Sequence, residues 1–268
     1  MKILTIIGSP QKKGNSYQAA RELEKKMKNR GNYDFEYIFL KDINLEICRG
    51  CFNCIAKGGE LCPLKDDRDM IEEKMQEADG LVMVSPVYVM QVTAFMKNFI
   101  DRLAYRCHRP IYHGKKAITL STTRGMGLDK TLKYMKDITE VWGYDVVDEC
   151  GLTTPPFPYS EKLKKKNQDK IVKSTEKFDE ALKSAATSKL EDTSVGVNRY
   201  LTFRIFKTVS EDVKNYMPAD YQFYKDKQYY HPARIGIFTK IATSIMAKVI
   251  FFMMRDMGPV DEEKENRT

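Results

Sequence analysis

No apolar run in this 268-residue sequence approaches the roughly 18 residues that a membrane-spanning helix requires, so no spanning segment is expected. The N-terminus lacks a secretory core: Met1-Lys2 leads into five apolar or small residues before Gly8-Ser9-Pro10, too short for such a signal. The expected location is therefore the cytoplasm. Histidine is scarce, with only His108, His113 and His231, and a histidine-activated side-chain nucleophile is not expected. A disulfide framework is not expected either, because a reducing compartment keeps thiols free, although the chain carries six cysteines.

What is present has an ordinary soluble balance, 42% hydrophobic against 31% charged, with a net charge of +8. The length suits one medium domain with an extension. Much of the positive charge lies between Glu161 and Leu190, where nine lysines face five acids. In the same stretch Val172, Phe178, Leu182 and Ala185 recur at helical spacing, which reads as a helix with a solvated basic face. No nucleic-acid-binding module accompanies the lysines, so no nucleic-acid partner is expected.

The first half alternates β-rich runs with helical patterns, the mark of an α/β fold with a parallel sheet covered on both faces. Strands are expected at residues 2–7, 35–40, 80–85, 116–120 and 145–150, and helices near 16–29, 67–78, 93–105 and 128–142. Ile3-Leu4-Thr5-Ile6-Ile7 and Leu81-Val82-Met83-Val84 are nearly continuous apolar runs, as central buried strands should be. Phe35-Glu36-Tyr37-Ile38-Phe39 carries charge and belongs nearer an edge. This suits a flavodoxin-like, doubly wound five-stranded sheet in the order 2-1-3-4-5. The proline-dense Thr154-Pro155-Pro156-Phe157-Pro158 ends the alternation, giving a domain over 1–158 and a mostly helical extension over 159–268.

Strand one runs into Gly8-Ser9-Pro10-Gln11-Lys12-Lys13-Gly14-Asn15-Ser16 and then a helix. Such a loop offers unpaired backbone N–H groups and the positive end of a helix dipole to an anion, with Ser9, Asn15 and Ser16 as further donors. It is neither a Walker A loop nor G-x-G-x-x-G, which argues against nucleoside triphosphates and against a dinucleotide held here. Strand three ends in Ser85-Pro86-Val87-Tyr88-Val89-Met90 and strand four in Ser121-Thr122-Thr123-Arg124-Gly125-Met126-Gly127. Both should emerge at the edge where ligands bind in doubly wound sheets.

Gly-Ser-Pro-x4-Asn-Ser, Ser-Pro-Val-Tyr with Phe99-Ile100-Asp101-Arg102 after it, and Thr-Thr-Arg-Gly resemble the NAD(P)H-dependent FMN reductase family over about residues 1–150. The resemblance implies an FMN phosphate at Ser9, Gln11, Asn15 and Ser16. It implies an isoalloxazine and ribityl chain along Pro86, Val87, Tyr88 and Val89, with Thr122, Thr123 and Gly125 as the third wall. The chain departs from the family at Val89-Met90-Gln91, where Trp or Phe and then Gly or Ser are common.

Cys48, Cys51, Cys54 and Cys62 form a C-x2-C-x2-C-x7-C array. Three thiolates at that spacing can converge on one face of a cuboidal cluster, whereas structural zinc sites usually take ligands as two separated pairs. The array resembles that of iron-sulfur flavoproteins, which implies a four-iron, four-sulfur cluster beside FMN. A similar loop followed by Asp66-Asp67 also occurs in simple flavin or quinone reductases with no cluster, where it is an active-site wall; both readings stand at this point. Cys107 and Cys150 read as small buried hydrophobes.

The expected function is an FMN-dependent oxidoreductase carrying electrons from NAD(P)H to a quinone, a flavin or an iron-sulfur acceptor, with the chemistry on the flavin rather than on a side chain. The alternative is an iron-sulfur flavoprotein acting as electron carrier or redox sensor without steady-state turnover. Near the C-terminus Ile237-Phe238, Ile241, Ile245, Val249 and Phe252-Met253 recur at three- to four-residue steps, a stripe that calls for burial. It can be core, join a homodimer or higher homo-oligomer, or, with Lys240, Lys248 and Arg255, lie on a membrane surface, the last being least expected. Asp220-Tyr221-Gln222-Phe223-Tyr224 and Tyr229-Tyr230-His231 are expected to supply aromatic surface to the flavin edge.

Overall fold

The structure is a computed structural model and describes residues 1–254; Arg255 lies outside the described residues. Two units are distinguished: Met1–Gly50 with Leu64–Ser188, and Cys51–Pro63 with the residues from Lys189 onward.

The first unit is built on β1 (Lys2–Ile7), β2 (Asp34–Phe39), β3 (Gly80–Pro86), β4 (Lys116–Thr123) and β5 (Asp145–Thr153), all parallel, in the order β2-β1-β3-β4-β5. This is the flavodoxin-like order expected from the apolar runs. Ile3, Leu4, Ile6, Ile7 and Leu81 to Val84 are fully buried, as strands covered on both faces require. The helices α1 (Asn15–Lys28), α3 (Arg68–Glu77), α4 (Ala94–Arg102) and α5 (Leu128–Val141) follow the sequence expectation closely, and the short α2 (Asn53–Ala56) belongs to the second unit. Strands β3 to β5 run one to three residues further than the apolar runs suggest, because Pro86 pairs with Thr122 and Thr123 with Thr153. Hydroxyl-bearing residues at strand ends carry no apolar signature, yet their backbones continue the ladder.

The helix α6 (Glu161–Thr187) belongs to this unit, so the unit continues past residue 158 to Ser188. Ile171, Phe178 and Leu182 enter the same core as Ile3, Leu23 and Val82. A side chain at Gly80 would stand 2.8 Å from Phe178 and 3.0 Å from Leu182. Asp179 fixes the helix further, accepting from Tyr33 Oη at 2.6 Å, Arg30 Nε at 3.1 Å and Lys183 Nζ at 2.9 Å. Burial works against ionisation of Asp179, but these donors outweigh it and hold its carboxyl below the usual range. The lysines are the other face, as the charge pattern suggests.

The second unit contains α2 (Asn53–Ala56), α7 (Val197–Asp212), α8 (Pro218–Tyr224) and α9 (Ile237–Met254). Its core is aromatic: Phe203, Tyr224 and Tyr229 are buried with Val195, and Tyr200, Phe206, Phe223 and Tyr230 pack around them. Tyr224 and Tyr229, expected as surface for a flavin edge, are thus consumed by this unit's own core. Ring pairs such as Phe203 with Tyr230 at 5.0 Å and Phe223 with Tyr224 at 4.9 Å meet edge to face, the arrangement that the ring quadrupole favours. Among the described residues, no helix is long and apolar enough to cross a membrane.

Candidate functional site

Three loops leave the carboxyl ends of β1, β3 and β4. The first is tied down at once: Gly8 N donates to Val84 O at 2.8 Å and Thr93 Oγ1 donates to Gly8 O at 2.6 Å. A Cβ at Gly8 would stand 2.8 Å from Met96 Cβ, so only glycine lets the loop cross α4 this closely. Ser9 is buried and its hydroxyl accepts from Gln11 N at 3.2 Å. The N-cap residue of α1 is Gly14, in extended conformation and with no side-chain cap. The first-turn N–H groups therefore have no side chain competing for them, and the dipole's positive end is exposed to whatever lies beyond. Ser16 does not cap the helix; its hydroxyl is buried against Thr122 Oγ1 at 2.7 Å, joining the first loop to the third.

The second loop is held by Val87 N donating to Thr122 O at 2.8 Å, after which Tyr88 and Gln91 exchange backbone hydrogen bonds of 2.8 and 3.0 Å. The two residues between them, Val89 and Met90, have φ of +46° and +68°. That turn is normally made by Asn-Gly, and a β-branched residue there is strained. Val89 is 98% exposed, so no packing compensates. Val89→Gly is expected to stabilise the protein by about 1 kcal/mol through relief of that strain, read as a rise of a few degrees in melting temperature; an unchanged or lower value would show the turn to be unstrained. The third loop locks onto this turn, since a Cβ on Gly127 (φ +81°) would stand 2.7 Å from Met90 Cα. Thr123 Oγ1 closes the third loop, donating to Met126 O at 2.7 Å and accepting from Gly125 N at 3.1 Å.

Together the loops enclose a cleft of about 570 Å³, within the usual range for a small-molecule site. All eleven residues singled out in the sequence line it: Ser9, Gln11, Asn15, Ser16, Pro86, Val87, Tyr88, Val89, Thr122, Thr123 and Gly125. Gly14, Met90, Arg124, Met126 and Thr154 also line it and were not assigned as site residues from the sequence, although Gly14 is where the loop backbone can turn close to a ligand. Four of these stand inside the quoted loops. Thr154 follows β5, a fourth strand end that the sequence pattern presents only as a domain boundary; its backbone N donates to Thr123 O at 2.7 Å. Among the lining residues Arg124 is the one charged side chain and no carboxylate joins it, so the cleft favours an anion. No heavy atom stands within 4 Å of where a Gly125 Cβ would be, which leaves room for a ligand.

The cysteine loop begins in the first unit, where its two ends are clamped. Cys48 N donates to Asn98 Oδ1 at 3.1 Å, and Asn98 Nδ2 donates to Leu45 O and Glu46 O. Asp66 accepts from Glu46 N at 2.8 Å, from Arg68 N at 3.2 Å and from Arg102 Nη2 at 2.7 Å, and the Asp66–Arg102 pair is essentially fully buried. Cys51, Cys54 and Cys62 lie in the second unit, on a segment that packs through α2 against α8. Gly50, Phe52 and Gly58 have positive φ there, so the backbone reverses repeatedly. None of the four forms a disulfide, and Cys51 is exposed. Among the described residues, no three His, Cys, Asp or Glu side chains are grouped to hold a metal ion. Cys107 and Cys150 are different: burial raises both thiols, Cys150 to about 11, which keeps them protonated and unreactive.

With three strand-end loops meeting in one anion-favouring cleft, comparison with known proteins becomes decisive. Residues 1–155 match the NADPH-dependent FMN reductase family. The chain belongs to that family. It is a flavin-dependent oxidoreductase. Among individual relatives, an iron-sulfur flavoprotein of Archaeoglobus fulgidus is 31% identical over 230 residues, covering 85% of this chain and 99% of that protein. Another, of Methanocaldococcus jannaschii, is 33% identical over 156 residues, covering 56% of this chain and 77% of that protein. In structure the chain is similar to RosB holding 8-demethyl-8-formylriboflavin-5′-phosphate, with a TM-score of 0.55 at 16% identity over 71% of this chain and 82% of that one. It is also similar to a flavone reductase, with a TM-score of 0.53 at 19% identity over 70% of this chain and 65% of that one. At such identities these two likenesses speak to the fold alone.

Proposed function

We propose that this FMN reductase family member holds FMN in the three-loop cleft and carries electrons from NAD(P)H to a quinone, a flavin or an iron-sulfur acceptor. The observation that carries the reading is the convergence of the loops after β1, β3 and β4 on one cleft, with an uncapped helix N-terminus at its phosphate side and Arg124 as its one charge. Ser9, Gln11, Asn15, Ser16 and the first-turn N–H groups of α1 would receive the phosphate. Pro86, Val87, Tyr88 and Val89 would flank the ring and ribityl chain, and Thr122, Thr123 and Gly125 the opposite wall. FMN, when bound, supplies the redox chemistry; the protein's own share is positioning. The Ser16–Thr122 hydrogen bond holds two walls at a fixed separation, and the Gly127 contact does the same for the second and third loops.

Cys48, Cys51, Cys54 and Cys62 would hold a four-iron, four-sulfur cluster, which supplies one-electron storage. The donor set fits by chemistry: four cysteines outside any disulfide within fifteen residues, separated by Gly50 and Gly58 at positive φ where the chain can reverse. The similarity to proteins named iron-sulfur flavoprotein favours a second reading, an electron carrier without steady-state turnover. Anaerobically purified protein mixed with NADPH or NADH and a soluble quinone separates the two. Sustained oxidation of many equivalents of reduced nicotinamide per flavin is expected. Consumption that stops near one equivalent would establish the carrier instead. Iron analysis on the same sample should return about four irons per chain, and near zero once Cys51 and Cys54 are both serine.

A further inference from the structure

The helix α9 is built the wrong way round for a helix that ends its life on a monomer's surface. Its buried side is built of small residues: Thr243 and Ala247 are buried, the helix packs on α7, and Arg204 on α7 donates to Ser244 Oγ and Lys240 O. Its exposed side is large and apolar. Phe238, Ile241, Ile245, Val249 and Phe252 are each more than half exposed and, at 3.6 residues per turn, form one stripe. With Ile237 and Met253 beside them, roughly 1,000 Å² of apolar surface is presented, beyond the few hundred Å² usual on a monomer.

The stripe is also symmetric. Its spacing is 3, 4, 4 and 3 residues about Ile245, so an antiparallel copy with Ile245 on the axis sets Ile241 against Val249, Phe238 against Phe252 and Ile237 against Met253. Lys248, at the edge of the stripe, then meets Ala242, leaving the charge room at the rim. An isologous contact demands this self-complementarity; a membrane surface does not. A membrane-surface helix would also carry Lys and Arg across its other face, whereas here that face is Thr243 and Ala247 packed within the unit. The available area matches the roughly 800 Å² that each partner contributes to an interface of standard size.

We propose that a second copy of this chain docks here, through an antiparallel α9–α9 pair across a two-fold axis at Ile245. Light scattering on the full-length protein at micromolar concentration is expected to give twice the 31.1 kDa chain mass. Ile245→Glu, which sets two buried carboxylates face to face, should raise the dissociation constant about a hundredfold or more and leave a monomer with its flavin spectrum intact. Cysteine cross-linking tests the register without depending on that variant. Under mild oxidation, and compared with wild type to account for the native thiols, Ile245→Cys should cross-link. Ile241→Cys alone should not, because its symmetry mate lies about 12 Å further along the axis, while Ile241→Cys with Val249→Cys should. A monomeric wild type, a dimer unchanged by Ile245→Glu, or equal cross-linking at 241 and 245 would overturn the proposal. So would a monomer that sediments with phosphatidylglycerol vesicles through this face, which would make the occupant a membrane.

Discussion

Replacing Asn15 and Ser16 together by alanine is expected to weaken FMN binding by roughly a hundredfold or more while weakening riboflavin binding far less. Hydrogen bonds to a charged group contribute about 1.5 to 3 kcal/mol each, and the anion they serve here is the terminal phosphate that riboflavin lacks. Ser16 has a second role, because its hydroxyl is buried against Thr122 Oγ1 at 2.7 Å. The variant therefore also orphans the Thr122 hydroxyl at a cost of about 1 kcal/mol in stability. Fluorescence titration of the flavin-free variants measures the first effect, and thermal melting of the same samples the second. A double variant with wild-type affinity for FMN would place the phosphate elsewhere.

The second large effect is expected at the base of the cysteine loop. Asp66→Ala should destabilise the protein by about 3 to 5 kcal/mol, because it leaves the Arg102 guanidinium buried without its counter-charge. Arg102 Nε and Nη1 have no partner among the described residues, so Nη2 on Asp66 carries the compensation alone. The same substitution strips the acceptor from Glu46 N and Arg68 N. Arg102→Met should be milder, since the Asp66 carboxylate would keep those two backbone donors. On a chain of this size the Asp66 variant should melt about 10 °C lower. Equal melting temperatures for the two variants would contradict the asymmetry. Because the same clamp fixes the chain around Cys48, lower iron incorporation is expected to accompany the loss of stability.

The central strands announce themselves because burial on both faces forces continuous apolar runs, and the site follows from them, since the ligand edge lies where those runs end. That is why eleven residues from three distant loops fall in one cleft. The strain at Val89 and Met90 was not legible: a turn with two positive φ values normally advertises itself with Asn-Gly, and here neither residue does. The place of α6 was obscured by its lysines, whose number outweighs the quieter spacing of Ile171, Phe178 and Leu182 that buries it on the sheet. The aromatic residues after Asp220 look like surface in isolation because nothing local shows that Phe203, fifteen or more residues earlier, is their partner. For α9 the periodicity was plain and its direction was not. A stripe of large apolar residues reads as the buried face, yet the smaller Thr243 and Ala247 allow the closer approach to α7 and take that place.

The most direct test of the central claim is titration of the flavin-free wild-type protein with FMN and with riboflavin under identical conditions. The two share every atom of ring and ribityl chain and differ in the phosphate, so their ratio isolates the contribution of the first loop. FMN is expected to bind at least about a hundredfold more tightly, as two or more charge-assisted hydrogen bonds require. Equal affinities would mean that the uncapped end of α1 receives no phosphate, and would contradict the assignment of the cleft.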